Sequence, residues 1–328
     1  MKKLYVFLFA LAVFSACEDP KDKDVAAQYL PVSSGTVNMI AVVMESDQWK
    51  GTVGDSIRSI YGIPTDGLPM DEPIFSLKHV NPVVFKGAVT KYRSVLVVKT
   101  SEKKKYKVRE NIYAKPQKIV YVSGTEDEIV QQLRKNAETS IKTFKKNELI
   151  SKQQFIRGSM NQDKALQEVF GITLNIPSVY EMVKKEDNFV WFERKVKTGT
   201  MNVIAYTLPL GAIPKDDTTI DAIIKMRDSI GEAYVPGKDP ETMYMITEKA
   251  YSPFLFNATI DGKPAFETKG MWEVHNFQMA GPFINYVVED KAHNRLVVIE
   301  GFTFAPSENK RDYMFEIEAI LKSLKIEK

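Results

Sequence analysis

Apolar positions along the chain follow two periods, and both periods recur in each half. Val37 to Met44, VNMIAVVM, is a short apolar run with β-branched residues and reads as a buried strand. Ser46 then stands where a helix cap belongs, and Trp49, Val53, Ile57 and Ile60 follow at helical spacing, with Gly51 and Gly54 weakening the first turns. Gly62 to Pro73, GIPTDGLPMDEP, interrupts the pattern with Pro64, Pro69 and Pro73, a loop of a length that often serves a function. Strands are expected over 74–80, 93–100, 106–113 and 118–123, with the charged SEKKK between two of them as a solvated hairpin tip. Thr125 and Glu128 have capping-box spacing, and Ile129, Leu133, Ala137, Ile141 and Phe144 mark the buried stripe of a long helix reaching Ile156 with a break.

The second half repeats the alternation. Leu166, Val169 and Phe170 predict a short helix ended by Gly171, and strands are expected over 189–195 and 200–206. Thr218 with Asp221 is read as the start of a helix carrying Ile220, Ile223, Ile224 and Ile230. Strands over 254–260 and 265–274 flank Asp261-Gly262, a strong hairpin signal. Another hairpin joins 283–289 to 295–304, and a last helix over 309–324 places Tyr313, Ile317, Ile320, Leu321 and Leu324 on one face.

Hairpins interleaved with a few amphipathic helices predict the α+β class. The expected organisation is two domains, 36–157 and 160–328, each a mainly antiparallel sheet covered by helices. The order of elements in the second resembles the PsbP/Mog1-like sandwich in layout, which fixes no function.

The first residues change the picture of where the protein works. Lys2 and Lys3 precede an apolar run from Leu4 to Val13, too short to span a bilayer, and Phe14-Ser15-Ala16-Cys17 resembles a bacterial lipobox. On that reading residues 1–16 are a lipoprotein signal peptide and Cys17 carries the acyl chains, palmitate among them, that anchor the protein to the membrane. Residues 17–35 form the lipidated cysteine and a tether. Its acid-rich start, EDPKDKD, resembles the surface-export signals of Bacteroidota lipoproteins. The expected location is the outer membrane, facing the periplasm or the surface.

Composition agrees. Cys17 is the only cysteine, so neither an internal disulfide nor a catalytic thiol is available to the fold. Removing the leader leaves 328 − 16 = 312 residues and lowers the formal charge from +3 to about +1, which gives no argument for nucleic-acid binding. The three histidines, His79, His275 and His293, are far apart, and no EF-hand or phosphate loop occurs, so no cofactor and no metal site are expected.

Catalytic chemistry has one candidate. Gly54-Asp55-Ser56-Ile57 looks like the nucleophile block of SGNH-type esterases, and Asp290-Lys291-Ala292-His293 matches the D-x-x-H that supplies base and orienter there. That family's Gly-x-Asn-Asp block is absent, Ser56 falls in a helical pattern, and Asp290 to Asn294 reads equally as turn chemistry. Binding has two candidates: Leu68 and Met70 in the proline-rich loop, and Trp272, His275 and Phe277 in GMWEVHNFQMAGPF, ahead of a Gly-Pro turn. Aromatic side chains there would stack on a sugar or grip a partner, whereas the alternative is that Trp272 and Phe277 belong to the core.

Several strings together, SSGTVNMIAVVMESDQWKGTVGDSIR, AKPQKIVYV, GMWEVHNFQMAGPF and RLVVIEGFTFAPSENKRDYM, resemble a Bacteroidota lipoprotein family known as domain of unknown function 4837. The resemblance implies an envelope lipoprotein, places GDSIR in a first helix, and supplies no catalytic residues. The expected function is therefore binding of an envelope protein or glycan partner without catalysis, with an envelope ester or polymer hydrolase using Ser56, Asp290 and His293 as the alternative.

Overall fold

The centre of the short apolar run becomes β1 (Met39–Val43), and all five of the strand's residues are buried. The computed structural model describes residues 29–327, so the leader, Cys17 and the acidic tether lie outside the described residues. From Pro31 onward the chain forms one compact unit.

A strand buried on both faces sits inside its sheet, and β1 lies between β2 (Ser76–Val80) and β3 (Ser94–Thr100), parallel to both. Helices α1 (Ser46–Lys50) and α2 (Thr52–Tyr61) make the crossover that parallel pairing of β1 and β2 requires. Next come β4 (Lys105–Glu110) and β5 (Lys118–Gly124). β5 runs parallel to β3, and β4 forms the outer edge antiparallel to β5, for a sheet order of β2-β1-β3-β5-β4. Three of the four pairings in this sheet are parallel, where a mainly antiparallel sheet was expected. The SEKKK segment is solvated, but β5 separates β3 from β4, so it is a crossover past a strand end rather than a hairpin tip.

Two helices close the first half. α3 (Glu126–Lys135) opens with the expected capping box of Thr125 and Glu128. After a break at Asn136, α4 (Ala137–Arg157) runs 21 residues, roughly 31 Å. Its Phe144 packs edge-on to Tyr61 and Phe75 in the first core, whereas its Ile156 belongs to the core of the second half. Ser46 is the first helical residue of α1, with Glu45 in the cap position and no side-chain cap bond, so the expected cap does not form.

The second half is built on one antiparallel sheet. The chain passes through α5 (Ala165–Phe170), ended by Gly171 in the left-handed conformation, then β6 (Ile172–Thr173), β7 (Glu181–Glu186), β8 (Phe189–Val196) and β9 (Gly199–Pro209). It continues through α6 (Thr219–Tyr234), β10 (Met245–Thr247), β11 (Phe254–Ile260), β12 (Lys263–Val274) and β13 (Phe277–Asp290). Last come β14 (Arg295–Phe304), α7 (Arg311–Leu321) and β15 (Lys325–Ile326), which pairs with β6. The large sheet runs β10-β12-β13-β14-β9-β8-β7, with β11 also on β12. Its alternating residues feed two cores: Val203, Ile284 and Tyr286 pack toward α5 and α7, and Ile204, Phe283 and Val298 toward α6. The whole is an α+β protein in which most strand pairings are antiparallel.

Two local expectations change. Thr218 makes no side-chain cap bond; its N–H and hydroxyl both donate to Asp216 Oδ1, at 2.8 and 2.6 Å. Gly281-Pro282 is no turn. The chain reverses at His275-Asn276, where Asn276 has φ 61°, and Pro282 lies within β13, opposite Met271. The ladder from β13 to β14 begins only at Phe283, so the missing N–H of Pro282 costs no bond on that side.

Candidate functional site

The proline-rich loop is the piece that joins the halves. It doubles back on itself, with Thr65 N–H donating to Glu72 O and Ile74 N–H to Ile63 O. Glu72 at its end reaches the start of α7, where its carboxylate accepts from Lys310 N–H at 2.7 Å and Arg311 N–H at 3.0 Å. Acidic charge at a helix N-terminus meets both unpaired donors and the positive end of the dipole. Arg311 answers by donating to Pro73 O and Ser76 Oγ. Gly67 takes φ 81°, and a Cβ there would stand 2.8 Å from Lys269 Cβ, so only glycine allows the loop to press on β12. Leu68 then enters the second core.

The seam is also held by α4 and α7. Lys152 Nζ pairs with Glu316 at 2.6 Å, and Gln153 Nε2 donates to Ala319 O. Between this contact and the loop lies a cavity of about 320 Å³, the lower end of the range for small-molecule sites. Leu68, Leu149, Ile284, Met314 and Phe315 contribute apolar wall. Six basic side chains, Lys142, Lys145, Lys146, Lys269, Arg311 and Lys322, line it against the acids Asp66 and Glu318.

The charges divide into a paired group and an unpaired one. Glu267 takes Lys269 at 2.8 Å on one oxygen and Lys322 at 3.7 Å on the other, and accepts from Tyr286 Oη at 2.7 Å. Glu318 takes Lys322 at 2.5 Å. Lys145 and Lys146 enter no ion pair among the described residues. Burial pushes the Glu318 carboxyl up, but Lys269 and Lys322 outweigh it and bring it down to about 2. Lys269 moves the other way: desolvation would lower it, but Glu318 and Glu267 hold it above the ordinary lysine value. Lys145 is lowered, by desolvation first and then by the like charges of Lys269 and Lys322.

A second cavity, of about 490 Å³, lies on the sheet between Ile213, Phe266 and Leu296. Its walls are mainly apolar, and its two lysines, Lys215 and Lys291, both pair with Glu289.

The residues singled out from sequence distribute as follows. Leu68 is buried and lines the seam cavity, while Met70, two residues on, is 70% exposed. Trp272 is buried in the α6-side core, edge-on to Phe302; His275 stacks on Tyr244; Phe277 is exposed at the hairpin end. Asp290 and His293 do meet, Oδ2 to Nδ1 at 2.8 Å, but the same oxygen accepts from Arg295 Nε at 2.9 Å, and Arg295 also binds Phe170 O. Ser56 is buried in α2, beside Val53 and Ile57 in the first-half core, and lines neither cavity. Sequence reading missed the lysines of the seam, which come from α4, from β12 and from the end of α7.

Fold and site together define a two-part α+β protein with a cation-lined cavity at its seam. Residues 159–323 match the family described as Domain of unknown function (DUF4837), and the chain belongs to that family. Residues 33–157 match a second profile, Domain of unknown function (DUF8532). A comparison with curated protein sequences finds no match. Among solved structures the chain is similar to LpqN, involved in cell envelope biogenesis of Mycobacterium tuberculosis, at 12% identity over 48% of this chain and 83% of that one, TM-score 0.29. It is also similar to the Saccharomyces cerevisiae Ran-binding protein Mog1p, at 11% identity over 47% and 89%, TM-score 0.32. At these scores neither likeness bears on what this chain does.

Proposed function

We propose that the protein is a lipid-anchored component of the outer membrane that binds a ligand without transforming it, and that the ligand sits in the seam cavity. One observation carries this reading: the 62–75 loop, α4, β12, β13 and α7, from both halves, converge on a small cavity whose cations exceed its anions. Lysine and arginine side chains beside apolar walls hold and orient an anionic group. A partner protein or glycan of the envelope is engaged by presenting such a group to the cavity. The lipobox ending at Cys17 supplies the anchor, and among the described residues no helix is long and apolar enough to cross a membrane.

The test is native mass spectrometry of tagged protein extracted from the membrane fraction. Wild type is expected to retain a bound species that Leu149→Trp, which fills the cavity, does not, with matched circular dichroism showing that the variant folds. Equal retention by both proteins would refute the assignment. Cys17→Ser is expected to leave the membrane fraction.

A further inference from the structure

Two features of the seam cavity narrow the ligand beyond "anion", given the reading above that the cavity is a ligand seat. The first is the position of the charge. Lys269 and Lys322 share Glu267, at 2.8 and 3.7 Å, and Lys322 also holds Glu318. Their ammonium groups are thereby held in place in the cavity lining. Lys145 reaches the same space from α4, feels Lys269 and Lys322 as like charges and Glu318 and Asp66 as opposite ones, and has no ion pair among the described residues. Counted with Lys146 and Asp66, which also line the space, four cations face three anions, an excess of one positive charge. An arriving anion therefore meets donors already oriented and a positive charge that the protein's own carboxylates do not fully balance.

The second feature is the apolar share of the lining, which alternates with the lysines along α4 and α7. Leu68, Leu149, Met314 and Phe315 present hydrocarbon and one aromatic ring, with no charge among them. A free inorganic ion would leave this surface wet, whereas a ligand with an apolar body covers it. The volume, about 320 Å³, admits a small molecule and excludes a folded partner.

We propose that the cavity takes a small amphiphilic anion, a phosphate or carboxylate head on an aliphatic body, with the head among Lys145, Lys269 and Lys322 and the body along Leu68, Leu149 and Met314. Such a head group belongs to free alkyl anions and to membrane lipids alike. The small volume favours a monomeric ligand over a lipid that stays in its bilayer.

Titration calorimetry of the soluble Cys17→Ser protein tests this with decyl phosphate, decanoate, decanol and inorganic phosphate, and with phosphatidylglycerol vesicles. Decyl phosphate and decanoate are expected to bind at least tenfold tighter than decanol or inorganic phosphate. Shortening the chain by one methylene is expected to weaken binding about fourfold. Lys145→Met, at a solvent-reaching position where the fold tolerates change, is expected to lose about tenfold or more for decyl phosphate and nothing for decanol. Lys225→Met, on the exposed side of α6, is expected to change neither.

Decanol binding as tightly as decyl phosphate, inorganic phosphate binding as tightly, or binding confined to vesicles would each overturn the proposal. Two failures are separable. If alkyl anions do not bind but the co-purifying species is still displaced by Leu149→Trp, the ligand class is wrong and the seat stands. If decyl phosphate binds equally to Leu149→Trp, the seat itself is wrong.

Discussion

Two clusters of charge lie on opposite faces of the large sheet, and they are built to different ends. On the α6 face, Arg227 is 2% exposed, and its guanidinium forks onto Glu300, Nε to Oε2 at 2.8 Å and Nη2 to Oε1 at 2.6 Å. Thr247 Oγ1 takes Nη1, Asn285 Nδ2 adds a bond to Glu300, and the Phe283 ring covers the guanidinium at 3.4 Å. One cation meets one anion, away from water. On the α7 face, Lys145, Lys146, Lys269 and Lys322 meet Asp66, Glu267 and Glu318 beside a cavity, with a cation left over. Closed pairs of the first kind hold a fold in register; an open cluster with surplus charge is suited to a ligand.

The sharpest way to break the comparison is to remove one charge from the closed cluster. Glu300→Gln keeps the shape but leaves Arg227 buried and uncompensated, and is expected to cost about 3–5 kcal/mol in urea unfolding. It should leave the seam cavity's ligand affinity untouched, because the sheet stands between them. Next in size is Gly67→Ala. Positive φ and a Cβ 2.8 Å from Lys269 Cβ both oppose it, so a loss of about 1–3 kcal/mol is expected, together with faster hydrogen exchange in the 62–75 loop. Unchanged exchange there would show that the loop does not depend on its press against β12.

Acid separates the clusters by a different route. The Glu318 carboxyl, held at about 2 against an ordinary 4.5, contributes stability that is fully present above the ordinary value and is lost as pH falls from there toward 2. Glu267 and Glu316 are likewise lowered: burial raises both, but the lysines, and for Glu316 also Arg194, prevail. The seam is therefore expected to loosen over that window, seen as rising exchange in α7 between about pH 4.5 and 2. Protection in α7 that stays flat across the window would contradict the assignment of these ion pairs to the seam.

How much of this was legible in the sequence depends on whether a feature is local. Asp261-Gly262 forecast its hairpin because the turn needs two positive φ angles, and the structure has them at 50° and 71°. Thr125 and Glu128 forecast a cap for the same reason of short range. Strand partners are not local. VNMIAVVM was legible as a buried strand, and its lack of alternation is what a parallel strand covered on both faces shows, but periodicity alone does not choose the neighbours. Gly281-Pro282 misled because proline punctuates turns, yet here it occupies the stretch of β13 that pairs on one side only.

The site was the least legible part. Nothing in the sequence sets Lys145, Lys146, Lys269 and Lys322 apart from the chain's other lysines. Only tertiary packing brings them to one cavity. Leu68 alone was signalled, by the unusual length of its loop, and that loop proves to line the cavity and to hold α7 through Glu72.

The most direct test of the difference between the clusters is urea unfolding of ligand-free Lys145→Met beside Glu300→Gln. Attraction of Lys145 to Glu318 and Asp66 is offset by desolvation and by Lys269 and Lys322, so Lys145→Met is expected within about 0.5 kcal/mol of wild type, while Glu300→Gln falls by several times that. A loss for Lys145→Met as large as that for Glu300→Gln would make the seam lysine a structural charge and contradict the account.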